Sequence, residues 1–284
     1  MARKILTVIF IIVIAFTLFC SIGYIASNKL ETEEITVLRE ETGGEGRGSG
    51  VSDNDAITIV HLSDTHFPYN SVDEATIIKT VKSASPDFIV LTGDVMDGTA
   101  KKEDVLSLKP FLNELSTIST CYLVIGNHEI GSDYLWDFTS TCSGCGINVL
   151  MNATSIVNHK NKKIAFIGLS DAYPYNEKVK GFDLISSCDY KILLAHRPEK
   201  FSSYLSVSKP SRPNLIFAGH AHGGLIRLGA HALYAPNQGL FPKYTSGLYQ
   251  MDGSLMVVSR GLSTNSVDLR LFNKYHIPII HLKI

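Results

Sequence analysis

The 284-residue chain reads as an α/β protein of two packed, mixed sheets with outer helices, preceded by one transmembrane helix. Three observations predict this. From Ala56 onward, short apolar runs alternate with helical periodicity in the order βαβαβ, the pattern of right-handed crossovers and a largely parallel sheet. The second half then supplies eight further strand-like runs, a count that two packed sheets accommodate. Ahead of both, Ile5 to Ala26 is an uncharged run of 22 residues. It reaches about 33 Å against a hydrocarbon core of about 30 Å.

The elements follow in order. Arg3 and Lys4 precede the apolar run and Lys29 follows it. The run exceeds the about 7 to 15 residues of a signal-peptide core, and no small-x-small cleavage site follows it. Phe19 is too bulky before Cys20 for a lipobox, and Arg3-Lys4 is no twin-arginine signal. Residues 1–27 are therefore expected to be an uncleaved, single-pass anchor in the cell membrane. With Arg3 and Lys4 held in the cytoplasm, the remaining chain is expected to face the extracytoplasmic side. Residues 28–55 read as a flexible tether, charged and glycine-rich around Gly43-Gly-Glu-Gly-Arg-Gly-Ser-Gly50. A dinucleotide loop is excluded because Ser49 stands where the third glycine of G-x-G-x-x-G belongs. Within this stretch only Ile35 to Leu38 looks extended, as an edge strand.

Residues 56–284 form the expected catalytic domain. Ile57–Leu62, Phe88–Leu91 and Cys121–Ile125 are short apolar runs that read as buried strands, and Asp73–Ser83 and Lys101–Leu115 read as the helices between them. Ser132 can cap a further helix through Thr141. Strands are then expected at Ile164–Gly168, Lys191–Ala195, Asn214–Ala218, Gly224–Leu228, Gly247–Met251, Leu255–Val258, Leu269–Phe272 and Pro278–Leu282.

Composition narrows the function. The net charge is −1 and charged residues make up 19%, with no Lys/Arg cluster of the kind that tracks a nucleic-acid backbone, so no nucleic acid is expected as a partner. Cys121, Cys142, Cys145 and Cys188 follow the anchor. Cys142-Ser-Gly-Cys145 lacks a second ligand pair for structural zinc and reads as a local disulfide or two free thiols. Cys121 reads as a small buried hydrophobe.

Five scattered stretches carry metal-binding side chains: Asp64-Thr-His66, Gly93-Asp94-Val-Met-Asp97, Gly126-Asn127-His128-Glu129, Ala195-His196 and Gly219-His220-Ala-His222. Each falls closely after an expected strand. Residues two apart on an extended chain point the same way, so Asp64 with His66, and His220 with His222, can each grip a metal. Asp94, Asn127 and His196 complete a mixed oxygen and nitrogen set suited to Mn, Fe, Zn or Co. Seven ligands exceed one ion. Two ions sharing one carboxylate, about 3.5–4 Å apart, would use them all, an apparatus for displacement at phosphorus. Singly, each residue reads as an ordinary polar side chain; their joint placement after strands does not.

In order and spacing these motifs resemble the calcineurin-like metallophosphoesterases. The continuations Gly219-His-Ala-His-Gly-Gly-Leu-Ile-Arg227, Ala235-Pro-Asn-Gln-Gly-Leu-Phe-Pro-Lys-Tyr244 and Ser259-Arg-Gly-Leu262 look most like its membrane-associated, YkuE-type bacterial branch. The resemblance covers Ile57 to the carboxyl terminus. It implies a four-layer α/β/β/α sandwich, one ion on Asp64, His66, Asp94 and His222, and a second on Asp94, Asn127, His196 and His220. Two carboxylates and neutral imidazoles leave such ions net positive, which lowers the pKa of a bridging water to give hydroxide near neutral pH. His128 is then the candidate leaving-group acid, with Asp97 orienting it. Glu129 reads as a supporting residue, His61 as a packed strand histidine, and His159, His231, His276 and His281 as structural or surface residues.

Gly98-Thr99 follow Asp97, where the protein phosphatases of this superfamily carry Arg-Gly, so a protein substrate is disfavoured. Arg197 and Arg260 could hold an anion, or equally form ordinary ion pairs. The loop Ala172–Phe182 reads as a connector, with a pocket wall as its alternative. The expected function is hydrolysis of a phosphodiester or pyrophosphate in a small-molecule or lipid-linked envelope substrate. The alternatives are a broad phosphomonoesterase and, in another class, an inactive metal-dependent binding protein.

Overall fold

The structure is a computed structural model that describes residues 2–42, 56–171, 173–264 and 269–284. Helix α1 (Ala2–Ser27) leads almost directly into β1 (Leu30–Leu38). A first βαβαβ run follows: β2 (Ile57–Leu62), α2 (Glu74–Ala84), β3 (Phe88–Thr92), α3 (Lys102–Ser107), α4 (Lys109–Ile118) and β4 (Thr120–Val124). Next come α5 (Asn127–Ile130), α6 (Leu135–Gly144), β5 (Asn148–Val149), β6 (Ala153–His159), β7 (Lys162–Gly168), β8 (Tyr190–Leu194), α7 (Phe201–Tyr204) and β9 (Leu215–Ala218). Two short ribbons, β10 (Arg227–Leu228) with β11 (His231–Ala232) and β12 (Tyr234–Ala235) with β13 (Gly239–Leu240), precede β14 (Gly247–Met251), β15 (Ser254–Val258) and β16 (Tyr275–Lys283).

Two six-stranded mixed sheets result, in the orders β1-β16-β2-β3-β4-β5 and β14-β15-β9-β8-β7-β6. Strands β2 to β5 run parallel, as do β7, β8, β9 and β15. Three apolar layers separate four structural ones. One lies between the first sheet and α2, α3, α4 and α6, and includes Ile77, Val81, Leu112 and Phe138. A second, between the sheets, holds Phe88, Tyr122, Phe166 and Phe217, with Tyr122 stacked on Phe166 at 4.2 Å. The third covers the outer side of the second sheet with Phe201, Tyr204 and Tyr244. Each such large side chain contributes about 1.5–3 kcal/mol through burial. The α/β/β/α sandwich is thus present.

Several expectations change. The stretch 28–55 is not a tether throughout, because Leu30–Leu38 pairs in parallel with β16 from Leu30↔Tyr275 to Leu38↔Lys283. Its charge misleads: Ile35 and Val37 face inward, while Glu31 pairs with Arg260 and Lys274. The expected tether Gly43–Asp55 lies outside the described residues. Lys101–Leu115 breaks into α3 and α4, with Pro110 seated in the first turn of α4, where its missing N–H costs nothing. The run Leu269–Phe272 is no strand; Leu271 makes only an isolated bridge to Ile226. Strand β6, polar and half-buried at an edge, carries too weak a pattern to be read. The four cysteines Cys121, Cys142, Cys145 and Cys188 are buried free thiols. The loop around Tyr175 joins the third apolar layer, with Tyr175 Oη donating to Ser211 O at 2.6 Å, so it is a packed connector.

His61 in β2 is fully buried, edge-on to Phe217. Burial, with a smaller effect of nearby His276, depresses its pKa from 6.5 to about 3. The folded protein therefore keeps His61 neutral while the unfolded chain protonates it. This contribution is intact above pH 6.5 and declines as pH falls toward 3. At pH 5 the loss is on the order of 2 kcal/mol. Urea unfolding should show that decline, and His61→Phe should flatten it; an unchanged slope in the variant refutes the assignment.

Candidate metal centre

All five motifs meet where strands end. Asp64 follows β2, Asp94 follows β3, Asn127 follows β4, His196 follows β8 and His220 follows β9. The local backbone is not the extended chain expected. Asp64, His66, Asp94, His220 and His222 all have φ between 46° and 64°, a left-handed conformation uncommon for residues with a side chain and concentrated at functional sites. Asp64 and His66 fall in one cluster, whereas the turn sends His220 and His222 to different ones. Two glycines permit the close approach. A Cβ on Gly126 would lie 2.2 Å from Asp94 Oδ1, and one on Gly219 would lie 1.9 Å from Ser63 Oγ.

Two buried triads form, Asp64/His66/His222 and Asp94/His196/His220, with the donor atoms of each within 4.8 Å of one another. Asp94 joins them: its Oδ2 is 3.0 Å from His196 Nε2 and 3.8 Å from His66 Nε2. His196 Nδ1 lies 2.7 Å from Thr92 O and His222 Nδ1 lies 3.3 Å from Ser263 O. A carbonyl only accepts, so both nitrogens carry hydrogen, and each ring when neutral turns an Nε2 lone pair inward. Those inward nitrogens face others: His222 Nε2 is 3.3 Å from His66 Nε2, and His196 Nε2 is 3.2 Å from His220 Nδ1. Such crowding of ring nitrogens around two buried carboxylates suits cations. Asn127 Oδ1 is buried and lacks a hydrogen-bond partner among the described residues, the state of an amide oxygen built to hold a metal.

Burial is the main cause that depresses His220 to about 2 and His222 to about 4, so both are neutral donors. For His196, burial opposes protonation, but the Asp94 carboxylate outweighs it and lifts the ring to about 10. Asp94 itself is held well below the ordinary carboxylate range: burial opposes this, and His196 overcomes it. A divalent ion would displace the shared proton, so metal affinity should rise with pH.

His128 and Asp97 stand at the rim. The Gly98 N–H donates to His128 Nδ1 at 3.1 Å. The neutral ring consequently carries its proton on Nε2. Asp97 Oδ2 lies 3.2 Å from His128 Nδ1 and 3.3 Å from His66 Nδ1. The carboxylate thus serves both rings, where the sequence suggested only the first.

Several side chains hold the ligands in place, Glu129 among them as expected and Ser63, Thr92 and Asn237 with no signal in the sequence. Thr92 Oγ1 donates to Ser63 Oγ (2.9 Å), which donates to Asp64 Oδ2 (2.6 Å). With the Thr92 proton spent, His61 Nε2, 2.8 Å away, is the donor to Thr92. His61 is therefore packed, as expected, and also anchors a buried chain that orients Asp64. Glu129 accepts N–H bonds from Asp94 (2.9 Å), Gly126 (2.7 Å) and Met96 (2.8 Å). The Asn237 amide sits 2.7 Å from His220 Nε2. Arg197 is clamped by Asp171 at 2.5 and 2.9 Å, with NH1 3.4 Å from His220 Nε2, whereas Arg260 is occupied by Glu31, Ser246 and Lys274.

The family model for calcineurin-like phosphoesterases matches residues 57–224, a span that contains every residue of both triads. This chain belongs to that family. As a calcineurin-like phosphoesterase it is a metal-dependent phosphoric ester hydrolase of a dinuclear family. It is 29% identical over 234 residues to the metallophosphoesterase YkuE of Bacillus subtilis, covering 81% of this chain and 80% of that one. A metallophosphoesterase of Aquifex aeolicus is 25% identical over 239 residues, covering 80% and 85%. The UDP-2,3-diacylglucosamine pyrophosphatase LpxG of Chlamydia muridarum is 24% identical over 260 residues, covering 72% and 78%. The YkuE-type branch is consistent with these matches. Helix α1 is long and apolar enough to cross a membrane.

Proposed function

We propose that this phosphoesterase is anchored through α1 and hydrolyses a phosphodiester or pyrophosphate bond of an envelope substrate on the extracytoplasmic side. The observation that carries the reading of the centre is Asp94 Oδ2, one oxygen within reach of both triads. Asp64, His66, Asp94 and His222 would hold one ion, and Asp94, Asn127, His196 and His220 the other. When bound, the ions supply an activated water and positive charge for phosphoryl oxygens. His128, when protonated, would deliver its Nε2 proton to the departing oxygen, with Asp97 Oδ2 3.2 Å from its Nδ1 to orient the ring. Gly98-Thr99 in place of Arg-Gly, together with the pyrophosphatase LpxG among the relatives, supports a small or lipid-linked substrate over a phosphoprotein.

The full chain in detergent with Mn should hydrolyse bis(4-nitrophenyl) phosphate faster than the monoester; preference for the monoester overturns the diesterase reading. His128→Ala should lower kcat by about 10²-fold with metal content unchanged. That loss should shrink for leaving groups that depart without protonation. Equal losses across leaving groups would remove His128 from the acid role.

A further inference from the structure

A strip of chain fans out from the end of α1. The Phe272 N–H donates to Gly23 O at 2.9 Å, and its ring lies 4.9 Å from that of Phe19. Beside it, the Leu271 N–H donates to Leu225 O and the Arg227 N–H to Leu271 O, both at 3.0 Å. The Leu233 N–H then donates to Ile226 O and the Phe241 N–H to Leu233 O, both at 2.9 Å. Four segments therefore lie side by side, from the anchor helix outward to Phe241. Large apolar side chains of this apron meet solvent, alongside His231, Asn237 and Lys243. Leu240 is 72% exposed and Phe241 77%, and Leu228, Tyr234 and Leu269 are exposed with them.

Charge points the same way. From Gly223 through Met251 there is no Asp or Glu, although the chain carries 27 in all, while Arg227, His231 and Lys243 are present. The apron also reaches the chemistry: Asn237 within it touches His220. Adjacent large side chains exposed to this degree mark an interaction surface. The neighbouring α1, apolar and exposed up to its last turns, is satisfied by a bilayer. Chain bonded to the end of that helix stands at headgroup depth, and a basic, acid-free, aromatic-tipped surface is what anionic headgroups attract.

We propose that the apron docks on an anionic lipid bilayer, with Leu240 and Phe241 inserted below the headgroups, so that the metal centre draws its phosphoester from the lipid layer rather than from solution. This rests on reading α1 as a membrane span. The test uses the full chain in vesicles of phosphatidylcholine and phosphatidylglycerol with brominated acyl chains, which quench a nearby indole. The single native tryptophan, Trp136 on α6, is the reference and is replaced by Phe in the variants.

Phe241→Trp in the Trp136→Phe background should lose about two-fold of its emission, since insertion by about 5–10 Å brings the ring to the bromines, while native Trp136 is unaffected. Phe10→Trp in the same background reports on α1 separately. Quenching at position 10 without quenching at 241 overturns the docking surface and leaves the anchor standing; absence at both overturns both. Equal quenching at 136 and 241 overturns the docking surface as non-specific. Phe241→Ser retaining wild-type hydrolysis of bis(4-nitrophenyl) phosphate, with slower capture by phosphatidylglycerol vesicles, supports it further; unchanged capture counts against it.

Discussion

Asp94→Asn is expected to empty the centre of metal and to lower kcat at least about 10³-fold, because on the proposed reading several kcal/mol of charge stabilisation would depend on the ions Asp94 would bridge. The substitution tests the bridge and little else. Asn tolerates the left-handed backbone better than most residues, and position 94 has φ 50°. Its remaining oxygen can still accept the His128 N–H that Asp94 Oδ1 takes at 2.9 Å. Fold and rim should survive while the second carboxylate oxygen, shared by His66 and His196, is lost. Elemental analysis beside steady-state kinetics decides the matter. Two ions retained with kcat within tenfold of wild type would sink the bridging role.

Glu129→Leu is expected to be the most destabilising single change near the site. Glu129 is fully buried, and its two oxygens take three backbone N–H groups from the turns that carry Asp94 and Asn127. Burial first, then the Asp94 charge, push its carboxyl up to about 7, and the N–H donors pull the other way. Leucine leaves three buried donors unpaired. At about 1–3 kcal/mol each, the loss is about 3 kcal/mol or more. Glu129→Gln, which keeps one oxygen, should lose about 1–3 kcal/mol. Both should depress kcat through misplacement of Asp94. Denaturant unfolding of a Leu variant as stable as wild type would show that these turns hold themselves.

Much of this was legible in the chain because ligand identity and strand-end placement are local. Asp64, His66, Asp94, Asn127, His196, His220 and His222 all arrive at the same end of the two sheets. The geometry that unites them was not legible. The motif pairs read as extended chain, whereas five of the seven positions turn left-handed. Ser63, Thr92 and Asn237 support ligands through contacts between distant segments, and such contacts leave no periodicity behind. Strand β1 was hidden for another reason. Its glutamates resemble linker composition, and only the facing Arg260, Lys274 and His276 show them to be an edge that is charged and paired.

That strand also orders the making of the molecule. Tyr275–Lys283 follows Leu30–Leu38 by more than 200 residues, yet it lies between that strand and Ile57–Leu62 in the first sheet. Leu30–Leu38 therefore has no sheet neighbour until Tyr275–Lys283 has emerged, and contacts this far apart in sequence form slowly. Meanwhile its edge, beside the nascent apolar helix, stays open to wrong partners. Loss of residues 275–283 would leave a gap inside a sheet rather than a shortened end.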